Sequence, residues 1–404
     1  MSPTTAGTTA FDLTDPTTFV RHDPLAFWAR MRDHDPVHWH EGRDGRPGFW
    51  VVSRYADVLA AYTDAARLGS ARGTVLDVLL HGDDSAGGRM LAVTDRPRHR
   101  DLRTVMLRAF SPRVLGAVVE RVERRAAELV RDVTGAGSFD FAAEVAEHIP
   151  LGTICDLLSI PAADRPDLLR WNKSALSSDD AEADPYAALE ARNEILLYFV
   201  DLVERRRAAP GDDVVSMIAA AEVDGAPLSV EDVALNCYSL ILGGDESSRV
   251  SAICAVKAFA DFPDQWRAVR DGEVSLDTAV EEVLRWATPA MHFARTATTD
   301  LEIGGRRIRA GSVVTLWNTS ANFDERQFDR PERFDPARTP NKHVSFGHGP
   351  HFCLGAHLGR AELRALLTAL AGTVSGIEAT GTPRRVYSTF LNGHSTMPVA
   401  FTAR

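Results

Sequence analysis

Cysteine is scarce in this chain: the four that occur in 404 residues, Cys155, Cys237, Cys254 and Cys353, lie far apart, with no Cys-x-x-Cys pair. Neither a disulfide framework nor a zinc ribbon is suggested, and a reducing cytoplasm is the expected setting. Long apolar runs are missing too. Met1–Val20 has neither a basic start nor a hydrophobic stretch, so no signal peptide or membrane anchor is expected. Positive charge is in deficit, with 45 Lys and Arg against 56 Asp and Glu and a net charge of -11 at pH 7. That balance argues against general binding to nucleic acid or anionic lipid, since both are themselves negative. Biased tracts and internal repeats are absent as well, which removes disorder and solenoid architectures. What is left, 45% hydrophobic and 25% charged residues, is the make-up of a globular chain with a large core.

Two short β-prone runs, Val37–His40 and Phe49–Val52, predict a small antiparallel sheet near the start. Helical patterns dominate beyond it. Ser111 and Pro112 supply an N-cap and a first-turn proline ahead of Val114, Val118, Val122, Leu129 and Val133 at helical spacing. A second helix spans about Ala187 to Arg207, stopped by Pro210-Gly211 and preceded by an acidic segment, Ser178–Pro185, expected to be a surface loop. Ser229 with Asp232 three residues on opens a long apolar run through Leu235, Leu240, Ile241 and Ile253, which predicts a central buried helix. Leu276–Trp286 forms another helix, followed by strand-like Leu301–Ile303, the turn Gly304-Gly305 and Val313–Trp317. No linker separates helical from strand-rich regions. The expectation is one mainly helical α+β domain over residues 1–404, with about 1–14 as a disordered tail.

The most informative segment runs Phe346-Gly347-His348-Gly349-Pro350-His351-Phe352-Cys353-Leu354-Gly355. Its glycines and proline predict a tight loop that delivers one cysteine to the first turn of a helix. Backbone N–H groups and the positive end of the helix dipole there favour thiolate, the form a metal requires. A thiolate on haem iron pushes electron density toward the metal and favours O–O cleavage. An isolated cysteine is more often a buried structural residue, but the loop argues otherwise. A zinc reading of His348, His351, Cys353 and His357 competes; its spacing is poor and leaves the glycines without a role.

This loop resembles the cysteine-ligand loop of the cytochrome P-450 superfamily, and other segments appear in the family's order. Glu282-Val283-Leu284-Arg285 resembles its Glu-x-x-Arg element, in which residues three apart share a helix face and pair; taken alone such a pair is usually solvated surface. Pro331-Glu332-Arg333-Phe334 resembles the segment whose arginine joins that pair, so Glu282, Arg285 and Arg333 are the expected structural trio. Asp95–Arg103 resembles the helix that binds haem propionates. The resemblance implies His99, Arg103, Arg295 and His351 as propionate partners, with Phe346, Gly347, Gly349 and Gly355 shaping the loop around Cys353, the metal ligand.

The long helix carries Gly243-Gly244-Asp245-Glu246-Ser247-Ser248. Paired glycines inside a helix cost about 1 kcal/mol each relative to alanine, so a compensating reason such as close approach of a ligand is expected. The resemblance places an oxygen-binding distortion here, with Gly243 and Gly244 beside the haem, Glu246 as the acid and Ser247 at the position of a threonine. Serine keeps the hydroxyl but lacks the methyl that restricts its rotamers. Phe323 in Ala321-Asn322-Phe323-Asp324 stands where arginine is common.

The resemblance covers the chain from about Asp15 onward. It implies the triangular helical bundle with small antiparallel side sheets, haem b (iron protoporphyrin IX), and monooxygenation of a small or medium organic substrate by hydroxylation or epoxidation. No nucleotide or flavin fingerprint is visible, so electrons from NAD(P)H are expected to arrive through an external ferredoxin reductase and ferredoxin, with Arg338, Lys342, Arg360 and Arg364 as a docking surface. Substrate contacts are expected at the loop Thr74–Leu91, at Leu240, at Ala290, Met291 and Phe293, and at Phe390 and Leu391. Natural-product biosynthesis is the expected setting. An amino acid or acyl chain tethered to a carrier protein is the alternative substrate, and a non-catalytic haem sensor the alternative function. No nucleic-acid or membrane partner is expected, and the protein is expected to be a cytoplasmic monomer.

Overall fold

A computed structural model describes residues 11–43, 45–175 and 185–404. The acidic segment Ser178–Pro185 lies outside these, apart from the backbone of Pro185, as do residues 1–10 of the expected tail. Phe11–Thr14 differ from that expectation: Leu13 is fully buried and Phe11 stacks on Phe27 with ring centroids 4.3 Å apart. Apolar side chains anchor this part of the chain against the sheet.

Eight helices frame the site and its supports: α1 (Arg98–Ala109), α2 (Pro112–Val133), α3 (His148–Leu157), α4 (Arg165–Ala175), α5 (Pro185–Ala208), α6 (Val230–Asp261), α7 (Leu276–Ala287) and α8 (Ala356–Thr373). The caps read from the sequence are formed. Ser111 Oγ accepts from the Val114 amide at 3.4 Å, and Ser229 Oγ accepts from the Asp232 amide at 3.0 Å. These bonds satisfy backbone donors that a helix N-terminus leaves unpaired. In α2, Val118, Val122, Ala126 and Val130 recur every four residues and are at most 1% exposed, so they form one stripe pressed on α8. Removing each valine from water contributes on the order of 1.5–3 kcal/mol. The same cluster takes in Ile253, Val256 and Phe259 of α6 and Leu363, Leu366 and Leu370 of α8. No helix among the described residues is long and apolar enough to cross a membrane.

The strands beside them are β1 (Val37–His40), β2 (Phe49–Val52), β3 (Leu68–Gly69), β4 (Ser138–Asp140), β5 (His292–Ala297), β6 (Val313–Trp317), β7 (Val374–Ala379) and β8 (Pro398–Ala403). One sheet has the order β1-β2-β6-β5-β3 and another β7-β8-β4. Pairings in both are antiparallel apart from β2 with β6, which is parallel, Val51 lying opposite Thr315. Leu301–Ile303 pairs across the Gly304-Gly305 turn with Arg306–Ile308, while β6 joins the larger sheet. The architecture is the mainly helical triangular bundle with small side sheets.

Glu282 and Arg285 on α7 are both fully buried. Arg285 Nε and a terminal nitrogen each bond Glu282 at 2.8 Å. The third partner is Arg338, whose Nε reaches Glu282 at 3.0 Å, with Asn341 Nδ2 at 3.0 Å and the Asp335 amide at 2.9 Å completing the shell. Arg333 is exposed and takes part only through its carbonyl, which corrects the expected trio. Phe323 packs against the Arg285 guanidinium, 5.0 Å from its ring centroid, and so covers this buried ion pair with an aromatic face.

Candidate active site

Cys353 sits on the loop that leads into α8, beside Arg103 of α1. Gly347 and Gly349 have φ of +65° and +71°, a left-handed region that side chains disfavour. A Cβ on Gly349 would also lie 2.5 Å from the Tyr62 carbonyl oxygen. The Cys353 amide donates to the Phe346 carbonyl at 2.9 Å, closing the loop. Helix α8 begins at Ala356, so Cys353 precedes its first turn rather than lying in it. Cys353 is exposed; desolvation by the atoms packed around its sulfur still pushes the thiol up, against the Gly355 N–H, Arg103 and Arg360. The backbone-amide effect expected from the sequence is present at Gly355, but desolvation outweighs it.

His99, Arg103, Arg295 and His351 converge beside this loop. The His99 and His351 rings lie 4.1 Å apart, and Arg103 donates to the Phe352 carbonyl at 2.8 Å. Arg295 lies 5.8 Å from the Tyr62 ring centroid, and His351 Nε2 is 3.3 Å from Ser70 Oγ. Burial, reinforced by the neighbouring guanidinium groups, pushes His99 down to about 4 and His351 down to about 2. Both are therefore neutral at pH 7, each with one N–H to give, and the positive charge resides on the two arginines. His99 Nε2 is buried with no partner, and none of the four side chains is bonded to a carboxylate among the described residues. Asp95, the nearest acid in charge coupling, spends its oxygens on the Ser70 and Ala71 amides at 2.8 and 3.0 Å. A donor set of this kind beside one cysteine fits a group that carries both a metal and carboxylates. By contrast, His348 and His357 are exposed, and no three His, Cys, Asp or Glu among the described residues are arranged to hold a metal by themselves, which removes the zinc ligand set.

On α6, Ser247 Oγ donates to the Gly243 carbonyl at 3.1 Å, and Gly243 itself is exposed. Glu246 is 7% exposed and bonded through both oxygens to Arg249, at 2.9 and 2.8 Å. The helix runs as uninterrupted α-helix through this point, without the expected distortion. The second glycine has a packing reason: a Cβ on Gly244 would meet Ile154 Cδ1 of α3 at 2.5 Å, whereas one on Gly243 would meet nothing within 4 Å. Asp245, unassigned from the sequence, is buried against Asn172 of α4, and burial together with Glu246 raises its pKa well above the usual carboxylate range.

The expected substrate contacts divide. Leu240, Phe293 and Phe390 retain exposure, with Phe293 and Phe390 edge to face at 5.6 Å. Ala290 and Leu391 bridge each other and are 8% and 9% exposed. Met291 is 2% exposed and packs with Leu76, Leu79 and Trp317. The stretch Thr74–Leu91 is not wholly loop, since Leu76–His81 is helical and buries Leu76, Leu79 and Leu80. Of the expected docking cations, Arg338 is paired with Glu282 and Arg360 with Glu281, while Lys342 and Arg364 are exposed, Arg364 beside the likewise exposed Asp277.

The profile of the cytochrome P450 family matches residues 275–371, which include α7 and the cysteine loop. Cytochrome P450 NovI of Streptomyces niveus is 44% identical over 391 residues, covering 97% of this chain and 96% of that protein. The steroid C26-monooxygenase of Rhodococcus jostii strain RHA1 is 35% identical, over 95% of this chain and 83% of its own. Among solved structures, P450 OxyD, involved in the biosynthesis of vancomycin-type antibiotics, superposes with a TM-score of 0.89 at 35% identity, over 98% of this chain and 100% of that one. The chain belongs to the cytochrome P450 family. Membership of that oxidoreductase family implies a haem-thiolate cofactor, which the cysteine and the propionate-compatible donors fit.

Proposed function

We propose that the protein is a haem-thiolate monooxygenase that carries haem b and inserts one atom of O2 into a small or medium organic substrate, by hydroxylation or epoxidation, in natural-product biosynthesis. The observation that carries this reading is the meeting of Cys353 with the four carboxylate-free donors His99, Arg103, Arg295 and His351. Cys353 would ligate the iron and the four donors the propionates. When bound, the haem supplies activation of dioxygen with two electrons and two protons. The protein orients the group, excludes water and handles protons. Ser247 Oγ, held on the Gly243 carbonyl, offers the hydroxyl for proton delivery, and Arg249 fixes the neighbouring Glu246. Without a β-methyl, Ser247 relies on that single hydrogen bond for its rotamer. Ser247→Ala is expected to leave haem content unchanged and lower the product formed per NAD(P)H consumed; unchanged coupling would remove Ser247 from proton delivery.

The half-buried side chains Leu240, Phe293 and Phe390 suit an apolar substrate portion, and the antibiotic pathway of OxyD supports natural-product tailoring. A screen of free compounds for a low-to-high spin shift tests this, and a response confined to carrier-bound amino acids would assign a tethered substrate instead. Electrons are supplied from NAD(P)H by a ferredoxin reductase and ferredoxin. Exposed Lys342 and Arg364, with exposed Arg108 and Arg113 near the end of α1, supply the docking charges. Turnover that is insensitive to ionic strength would contradict steering by these charges. The reading includes a cytoplasmic, monomeric protein of one domain.

A further inference from the structure

The side of the cysteine loop that faces α7 carries a charge arrangement with no part in the roles above. Glu281, adjacent to the structural Glu282, accepts from Arg360 Nε at 2.6 Å and from a terminal Arg360 nitrogen at 3.0 Å. His343 Nε2 reaches the same carboxylate at 3.2 Å. The Ser345 amide donates to His343 Nδ1 at 3.2 Å, so Nε2 carries the hydrogen that is given to Glu281. Burial works against the Glu281 charge, but the bonds from His343 and Arg360 prevail and bring it down to about 2. The Arg360 guanidinium lies over the Phe346 ring, 4.6 Å from its centroid, and the Phe346 carbonyl holds the Cys353 amide. Arg360 is thus fixed on three sides: by the carboxylate, by the ring, and by the Ala356 carbonyl of its own helix at 3.4 Å. Through that ring the guanidinium is held against the loop segment that carries Cys353.

We propose that the Glu281–Arg360 pair, positioned by His343 and seated on Phe346, is a fixed dipole that sets how strongly the Cys353 thiolate donates to the iron, and so the potential at which the ferric centre accepts its first electron. The inference rests on the haem-thiolate reading. Adding one electron to the ferric thiolate centre, with a reduced one-electron iron–sulfur carrier being oxidised in the same step and no proton moving, makes the site more negative by one charge. A nearby cation favours that change and a nearby anion opposes it. The two members of the pair therefore act with opposite signs. Arg360 and Glu281 are positioning residues, since neither touches the reacting atoms.

The test is a mediator-based reductive titration of the haem-loaded full-length protein and its variants, each also measured as the reduced carbon monoxide complex. Glu281→Gln leaves Arg360 uncompensated and should shift the reduction equilibrium about tenfold toward ferrous, about 59 mV upward for one electron. Arg360→Gln leaves Glu281 uncompensated and should shift it by a similar factor the other way. The double variant should return close to the starting value, and Arg360→Lys, which keeps the charge, should stay near it. A merely structural role would move both single variants in the same direction or leave the potential alone. Shifts of one sign, or below about twofold, in variants that keep the thiolate band would overturn the proposal. Should Arg360→Gln fail to fold, the rise in Glu281→Gln and the constancy of Arg360→Lys still decide it. Absence of the thiolate band from the unsubstituted protein would instead sink the haem-thiolate reading, so the two failures are distinguishable.

Discussion

The buried ion network on α7 offers a quantitative test of which arginine supports it. Glu282 and the Arg285 side chain are fully inaccessible and the Arg338 side chain is 9% exposed, so each charge depends on the others. Glu282→Gln replaces a carboxylate facing two guanidinium groups by one neutral acceptor. Breaking a buried pair from one side typically costs about 3–5 kcal/mol, because the remaining charge is stranded away from water. Arg338→Ala removes one charge-assisted bond and its bonds to the carbonyls of Asp329, Arg330 and Arg333, at 2.7, 3.3 and 3.0 Å. Arg285, Asn341 and the Asp335 amide still satisfy Glu282, so a loss of about 3 kcal/mol is expected. Arg333→Ala, at an exposed side chain, should stay within about 0.5 kcal/mol. Urea unfolding of the three variants, monitored by far-ultraviolet circular dichroism, gives the comparison. Equal destabilisation by Arg333→Ala and Arg338→Ala would refute the assignment.

Two further perturbations probe the site from other directions. Burial raises Glu362 to about 7 despite hydrogen bonds from Ser248 and Thr153. The unfolded chain releases this proton near the ordinary glutamate value while the folded chain keeps it, so stability should fall as pH rises from about 4.5 to about 7, by up to about 3 kcal/mol. Glu362→Gln should flatten that part of the pH–stability curve and raise stability at pH 8; an unaltered slope would show that Glu362 titrates normally. Gly349→Ala forces a Cβ to 2.5 Å from the Tyr62 carbonyl at a left-handed φ. Backbone strain of this kind costs about 1–3 kcal/mol, and a reduced haem-to-protein ratio is expected. Full haem retention would mean that the loop tolerates the displacement.

How local each signal is decides whether the sequence disclosed it or hid it. The cysteine loop was readable because glycine and proline declare tight turns within ten residues, and the caps at Ser111 and Ser229 because their bonds close within three. Leu76, Leu79 and Leu80 carry a helical spacing within Thr74–Leu91, a local signal of the short helix found there. Arg338 was hidden because its acceptor, Glu282, lies 56 residues away, while Arg333 stands in a more conspicuous segment. Expected as a docking cation, Arg360 gives no hint of Glu281, 79 residues earlier. The β2–β6 pairing joins residues some 265 positions apart, beyond any hairpin signal. Gly244 is required by Ile154 of a different helix, and only packing could show that.

The bond between Cys353 and iron is the most direct point of test. Haem-loaded protein, reduced and exposed to carbon monoxide, should show the strongly red-shifted Soret band of a thiolate ligand, and Cys353→Ala should lose it while keeping the helical circular dichroism of the parent. A band at the position given by a neutral ligand in the parent protein, or a red-shifted band that survives in Cys353→Ala, would contradict it.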